Sequence, residues 1–328
     1  MSDVLGRLRG IAVDALRGAG GEAPFALLDF PDYANVGDSA IWLGTTAYFS
    51  AHRGRGPRYV SSIDTFSEAA LRASVPGGPI FVQGGGNFGD LWPRHQEFRE
   101  HLLERFPDRE IIQLPQSIHF EDPARAARTA RAIVRHGRFR LLVRDRASHD
   151  FAAARFDCEV VLCPDMALFI GALDREPPET DVFYLLRTDK ERAVAEGVGR
   201  RDDTRRVADW LAESRLSMEA AHLRCIVHQL RRGRWGRLAM RGAGYEAAAR
   251  ARVLRGRRLL TSGRVVITDR LHAHILCLLL DIPHAVLDNT YGKLGRFLDT
   301  WTGEAAGVHR AAAIDDAERW AAAVSGDR

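Results

Sequence analysis

The alternation of short apolar runs with stretches of helical periodicity constrains this chain more than any other feature. Runs at Phe25–Phe30, Tyr59–Ile63, Pro79–Gln83, Ile111–Pro115, Leu141–Arg144 and Glu159–Cys163 predict strands. Between them Ala40–Ser50, Ser67–Ala73, His95–Phe106, Pro123–His136 and Ser148–Ala154 predict helices. Unbroken apolar strands are covered on both faces, and strands alternating with helices build parallel sheet. A polar break at Asp174–Asp181 holds Pro177 and Pro178, and the pattern then resumes. Val182–Leu186, Val265–Thr268 and His284–Leu287 predict strands, while His272–Leu280, Leu294–Trp301 and Asp315–Val324 predict helices. Val207–Leu211 reads either way. The 328 residues exceed one ordinary core. We therefore expect an α/β fold of two Rossmann-like, doubly wound domains facing a cleft, 1–173 and 174–328.

No apolar run is long enough for a membrane-spanning helix. The first residues lack the apolar core of a signal peptide. Leu5, Leu8, Ile11, Ala12 and Leu16 share one helical face there, which predicts a packed first helix. Cys158, Cys163, Cys225 and Cys277 fit no zinc or redox spacing and sit in apolar segments. Reduced buried thiols and a cytoplasmic location are expected. The net charge of +4 is uneven. The window Arg224–Arg258 holds 11 Arg and one acid, Glu246, about +10, so the remainder is about −6. This is either a solvated helical face or a surface for anionic partners such as membrane headgroups. Nucleic acid is disfavoured, since only Trp235 and Tyr245 interleave the arginines.

Ligands of doubly wound sheets bind beyond the carboxyl ends of the strands, and polar residues gather there. After the first strand, Asn35, Gly37 and Asp38 form a turn opening a helix, with Asp38 or Ser39 as the expected cap. After the third comes QGGGNFGDLWPRH. Gly84, Gly85 and Gly86 suit a backbone that passes close to something, and with Asn87 they can line an anion site. The spacing is not that of a dinucleotide fingerprint. His95 and Arg99 follow on one helical face. Gln116 and Ser117 follow the fourth strand, Arg144 and Asp145 the fifth, and Asp165 can cap the turn after the sixth. In VVITDRLHAHILCLLL, Thr268 or Asp269 can cap a helix starting near Arg270. An Arg in a first turn opposes the helix dipole unless a bound anion reverses the sign. Of His272 and His274, two residues apart, His272 is expected to face the cleft and His274 to pack. Zinc binding by this pair is disfavoured, and no metal site is expected. Asn289, Tyr291 and Lys293 follow the last strand of this group.

Taken in order, NVGD, QGGGNFGDLWPRHQ, LPQSI, the RD of VRDRAS, CPD, TDRLHAH and DNTYGK resemble the polysaccharide pyruvyl transferase family, from Asn35 to Phe297. The resemblance implies a fold like that of GT-B glycosyltransferases. It also implies transfer of the pyruvyl group of phosphoenolpyruvate to a sugar hydroxyl of an exopolysaccharide or cell-surface glycan, forming a ketal. The acceptor is lipid-linked or free. The first domain would take the acceptor and the second the phosphoenolpyruvate. The family's RLH matches Arg270, Leu271 and His272, the arginine of its RD motif matches Arg144, and its NVGD aspartate matches Asp38. A family histidine after the glycine loop matches His95. Catalytic roles are expected for His272, His95 and Asp38. Substrate contacts are expected from Arg144, Arg270, Lys293, Asn35, Gly84, Gly85, Gly86, Asn87, Gln116, Ser117, Asn289 and Tyr291. No cofactor beyond the donor is implied. The Arg-rich window lies outside the family pattern and would place the protein at the inner membrane face. Two rivals stand beside this reading. One is a nucleotide-sugar glycosyltransferase, which would need base and ribose contacts that LDNTYGK does not offer. The other is a non-enzymatic binder of anionic glycan or membrane, which would not need histidines at three strand ends.

Overall fold

The computed structural model describes residues 2–188, 205–211, 213, 218–219, 223, 226–227, 237–288 and 292–326. Its first sheet comprises β1 (Ala26–Leu28), β2 (Tyr59–Ser61), β3 (Ile80–Val82), β4 (Gly85–Gly89), β5 (Ile111–His119), β6 (Phe139–Val143) and β7 (Glu159–Leu162). The spatial order is β2-β1-β3-β5-β6-β7, with β4 branching along β5, and every pairing is parallel. The second sheet comprises β8 (Thr180–Leu185), β9 (Arg205–Ala208), β10 (Gly263–Thr268), β11 (His284–Val286) and β12 (Val308–Arg310). Its order is β12-β11-β10-β8-β9, again all parallel. Buried Leu, Ile, Val and Phe fill β1, β3, β6 and β10 because both faces of each sheet are covered. The ambiguous run near Val207 contributes β9.

Ten helices cover these sheets among the described residues. They are α1 (Ser2–Ala15), α2 (Val36–Arg53), α3 (Glu68–Ser74), α4 (Pro93–Arg105), α5 (Pro123–His136), α6 (Arg146–Arg155), α7 (Arg237–Thr261), α8 (Leu271–Leu280), α9 (Lys293–Phe297) and α10 (Ile314–Gly326). In α1, Leu5, Leu8 and Ala12 are buried, and Leu16 is buried just beyond its end, as the periodicity predicts. A division after residue 173 separates the two sheets, but the packing crosses it. One apolar cluster runs from Leu27 and Phe81 in the first sheet, through Trp42 of α2, to Phe183 and Val266 in the second. Each such side chain stabilises by about 1.5–3 kcal/mol on full burial. Helix α7 lies against α2 and β2. There Tyr245 stacks on Phe30, with ring centroids 4.0 Å apart, and its hydroxyl hydrogen-bonds the Thr65 hydroxyl at 2.6 Å.

Two expected caps are corrected. Asn35 caps α2, its Oδ1 accepting from the Gly37 N–H at 2.9 Å, so Asp38 is left to point elsewhere. Arg270 is the N-cap of α8 and provides no side-chain cap bond, while Thr268 Oγ1 accepts from the Arg270 N–H at 3.1 Å. The solvated-face reading of the arginine window is corrected for two residues of α7. Arg252 and Arg255 turn inward onto Glu213 at 2.8 and 3.1 Å. They also donate to the carbonyls of Pro31 and Ala34 at 3.0 and 3.2 Å, pinning the loop after β1. Residues 224–225 and 228–236 of that window lie outside the described residues, as do Asn289 and Tyr291. Cys163 and Cys277 are buried free thiols, and burial pushes both up well above the usual thiol value. No described helix is long and apolar enough to cross a membrane.

Candidate active site

The carboxyl ends of the two sheets meet at a cleft of about 320 Å³. Nine of the residues expected from the sequence line it: Asn35, Asp38, Gly86, Asn87, His95, Arg144, Arg270, His272 and Lys293. They come from loops far apart in the chain, brought together because each follows a strand whose end points the same way.

Arg144 follows β6, and its guanidinium is buried. Its Nη1 donates to Asp165 Oδ2 at 2.7 Å, and its Nε donates to Ser117 Oγ at 3.0 Å. Ser117 in turn donates to Asp145 Oδ2 at 2.8 Å, and Asp145 caps α6 through the Ser148 N–H at 2.8 Å. Asp165 follows β7 and lies 3.3 Å from His272 Nε2. Burial opposes its ionisation, but the His272 imidazole and the Arg144 guanidinium more than offset that, holding the carboxyl well below the usual carboxylate range. Arg144, Asp165 and His272 thus form one buried cluster across the two halves. Such a cluster is costly to desolvate and depends on good geometry. Trp301, in a π-helical turn (Leu298–Thr302), donates its Nε1 to the Arg144 carbonyl at 2.8 Å and holds that strand end from the second half.

Helix α8 is buried along its whole length. Its first residues, Leu271 and His272, line the cleft, while His274 packs as expected. His274 Nδ1 lies 2.7 Å from His284 Nε2, and His274 Nε2 lies 2.8 Å from Thr302 Oγ1. Burial lowers both histidines, His284 to about 4. Arg270 swings to Asp209, 2.7 Å away, with its guanidinium 5.7 Å from the Trp210 ring centroid. Asp269 Oδ1 accepts from the Arg187 N–H at 2.9 Å, tying β10 to β8. Burial pushes its carboxyl up to about 6, against the pull of that N–H and of the Arg270 charge.

The glycine run is explained by contact. Gly85 has φ +139, a conformation that side chains rarely adopt. A Cβ on Gly86 would stand 3.1 Å from Arg144 Nη2 and 3.4 Å from Lys293 Nζ, and Lys293 Nζ itself donates to the Gly86 carbonyl at 3.3 Å. Gly84 lies one layer behind, where a Cβ would meet the Pro115 carbonyl at 2.7 Å. Gln116 and Ser117 also stand behind the lining. Gln116 Nε2 donates to Asn87 Oδ1 at 2.9 Å, as does Arg99 Nη2 at 3.0 Å. With its Oδ1 engaged twice, the Asn87 amide is oriented for the cleft.

Asp38 Oδ2 accepts from Tyr33 Oη at 2.9 Å and from Asn35 Nδ2 at 2.8 Å. His95, in the first turn of α4, is held at Nδ1 by both oxygens of Asp29, at 3.0 and 2.9 Å. Asp29 is buried and has φ +68. An Asp tolerates that left-handed conformation better than most residues. The carboxylate fixes the proton on Nδ1 and leaves Nε2 as the acceptor. Sequence reading missed Asp29, although an acid closing the apolar run PFALLDF was a visible signal. It also gave Asp165 only a capping role and passed over Tyr33, Trp92, Arg187 and Trp210, which line the cleft or its rim.

The family model described as polysaccharide pyruvyl transferase matches residues 35–291, the stretch that carries almost all of these loops. The chain belongs to the polysaccharide pyruvyl transferase family. It is therefore a member of a transferase family, with an α/β fold of parallel sheets. It is 31% identical to pyruvyl transferase 1 of Schizosaccharomyces pombe over 290 residues, covering 84% of this chain and 69% of that one. It is 33% identical to EpsO of Bacillus subtilis over 287 residues, covering 83% of this chain and 84% of that one. A solved structure of a functionally uncharacterised protein from Klebsiella pneumoniae shares the fold. Its TM-score is 0.52 at 17% identity, over 91% of this chain and 92% of that one.

Proposed function

We propose that this pyruvyl transferase family member moves the pyruvyl group of phosphoenolpyruvate onto a sugar of an exopolysaccharide or cell-surface glycan precursor, forming a ketal. The observation that carries the reading is the convergence of Arg144, Lys293 and His272 with the N-terminus of α8 on the cleft. A small donor bearing a phosphate and a carboxylate needs two or three cations and oriented N–H groups. The two parallel sheets meeting at their carboxyl ends support a GT-B-like arrangement, with residues 1–173 mainly facing the acceptor and 174–328 the donor, which Arg144 of the first half also contacts.

In this reading the donor's methylene carbon takes a proton, and the first sugar hydroxyl adds its oxygen to C2 while losing its own proton. A second hydroxyl of the same sugar then displaces phosphate from C2, its proton leaving with the phosphate. His272, beside the Asp165 carboxylate, is the acid or phosphate contact. His95, with Nδ1 held by Asp29, is the base, and Asp38 orients a hydroxyl. One acid and one base suffice for these steps, and the donor is the only small molecule invoked besides the acceptor. We place the protein in the cytoplasm, with anionic membrane as a contact of the Arg224–Arg258 window.

The test follows phosphate release from phosphoenolpyruvate by ³¹P NMR, with and without glycan acceptor, alongside thermal stability with phosphoenolpyruvate, UDP-sugars and plain phosphate. Acceptor-dependent release, and a thermal rise with phosphoenolpyruvate that Arg270→Ala abolishes, are expected. A rise with UDP-sugars alone would replace this reading with glycosyl transfer.

A further inference from the structure

Helix α8 is apolar along most of LHAHILCLLL, yet it buries His274 completely. A Leu there would pack without the cost of desolvating two ring nitrogens. His284, on β11, is equally buried. All the ring nitrogens of the two residues nevertheless have partners. His284 Nδ1 lies 2.7 Å from the Ile282 carbonyl oxygen. The two rings meet through His284 Nε2 and His274 Nδ1 at 2.7 Å, and His274 Nε2 lies 2.8 Å from Thr302 Oγ1.

The direction of this chain of bonds is fixed from its end. A carbonyl oxygen only accepts, so His284 Nδ1 carries a proton. Burial keeps both rings neutral, so His284 Nε2 is bare and His274 Nδ1 donates to it. His274 Nε2 is then bare in turn, and the Thr302 hydroxyl donates to it. Both rings are Nδ1–H tautomers, and one polarity runs from Thr302 to Ile282.

Thr302 ends the π-helical turn, and α9 runs into that turn through helical backbone at Phe297 and Leu298. Turns of this kind gather at functional sites. The Phe297 ring meets His274 edge-on, with centroids 6.0 Å apart. From the turn, Trp301 Nε1 donates to the Arg144 carbonyl, and Thr300 Oγ1 accepts from the Arg146 N–H at 3.2 Å. Lys293 begins the same helical stretch and lines the cleft, and both it and Arg144 stand next to Gly86.

We infer that Thr302, His274 and His284 are positioning residues for the cations of the cleft: their relay locks the Lys293–Thr302 stretch onto α8 and, through Trp301, fixes the strand end that carries Arg144. None of the three lines the cleft itself. The relay's effect on donor binding rests on the pyruvyl transfer reading; its tautomers and its hold on Trp301 do not.

Ring-nitrogen NMR on the full chain, labelled with ¹⁵N-histidine, should show Nδ1–H tautomers at His274 and His284. Thr302→Val keeps the side chain's shape and removes the donor. It should speed hydrogen exchange of the Trp301 indole N–H about fivefold and raise the donor KM about fivefold with little change in kcat. Thr302→Ser should restore both. Trp301→Phe should raise the donor KM with both tautomers intact, and the double variant should fall short of the product of the two rises. An Nε2–H tautomer at either ring would overturn the relay. So would wild-type indole exchange and donor KM in Thr302→Val, or rises that multiply in the double variant. Expected tautomers and indole exchange in a protein that neither turns over phosphoenolpyruvate nor responds thermally to it would uphold the relay and overturn the donor reading alone.

Discussion

Gly37 offers a test in which two physical effects predict opposite signs. It lies in the first turn of α2 with ordinary helical backbone, so Gly37→Ala removes a poor helix former. Propensity alone predicts a gain of up to about 1 kcal/mol. Packing predicts a loss. A Cβ built on Gly37 would stand 2.6 Å from Cγ and 2.8 Å from Cβ of His272. Carbon atoms prefer about 3.5–4.0 Å, so the overlap is roughly 1 Å. The atoms it meets are the root of the imidazole, not the end of a flexible chain, and α8 behind them is fully buried. The ring or the turn must therefore move by roughly that amount. Overpacking of this kind costs about 1–3 kcal/mol, and a 1 Å misplacement of a reacting group costs about 100-fold in rate. Urea unfolding should show Gly37→Ala less stable by about 1–2 kcal/mol net, and phosphate release from phosphoenolpyruvate should fall by about 100-fold. A variant that is more stable than wild type with kcat intact would refute the close packing of NVGD against His272.

Asp29→Asn keeps a residue that tolerates the left-handed backbone but lets the amide donate to His95 Nδ1, moving the imidazole proton to Nε2. A kcat loss of about 100-fold or more is expected with little change in donor KM, and equal loss in donor binding would contradict the positioning role. Ser117→Ala removes the hydrogen bond to Arg144 Nε, worth about 1 kcal/mol, so steady-state kinetics should show donor KM rising about fivefold. The lowered His284 binds its proton less readily folded than unfolded, so its contribution is present above the unfolded value near 6.5 and lost as pH falls toward 4. That amounts to about 3 kcal/mol. Urea midpoints at pH 7 and pH 4.5 should differ less in His284→Gln than in wild type. The comparison also separates the pair from Asp269, whose raised carboxyl gives the opposite slope. Glu213→Ala removes the carboxylate that Arg252 and Arg255 share beneath the Tyr33 loop but leaves their carbonyl partners, and calorimetry should show a stability loss of about 1.5–3 kcal/mol.

Strand and helix periodicity made the two parallel sheets legible, because burial on both faces writes itself as unbroken apolar runs. The loop positions of Arg144, His272, His95 and Asp38 were legible for a related reason. Polar residues that interrupt such runs at strand ends have little structural purpose there. Asp29 and Asp165 were harder to read. Each closes a strand, but its partner is 66 or 107 residues away, and nothing local distinguishes a cap from a member of a buried ion cluster. Arg252 and Arg255 were hidden by their neighbours in a run of arginines, where only packing separates an inward guanidinium from a solvated one.

From the sequence alone follow the α/β class, the helical first segment, the polar loops at the strand ends and the family resemblance. Hydrophobic periodicity and turn chemistry are short-range, and they are encoded in consecutive residues. The tertiary structure alone decided that Asn35 caps α2, that Arg270 turns to Asp209, and that Gln116 and Ser117 act from behind the lining. It also decided that the Tyr33 ring stands edge-on to His95. Those outcomes depend on which side chains from distant loops compete for the same buried hydrogen bonds, and that competition exists only once both sheets have brought their carboxyl ends together.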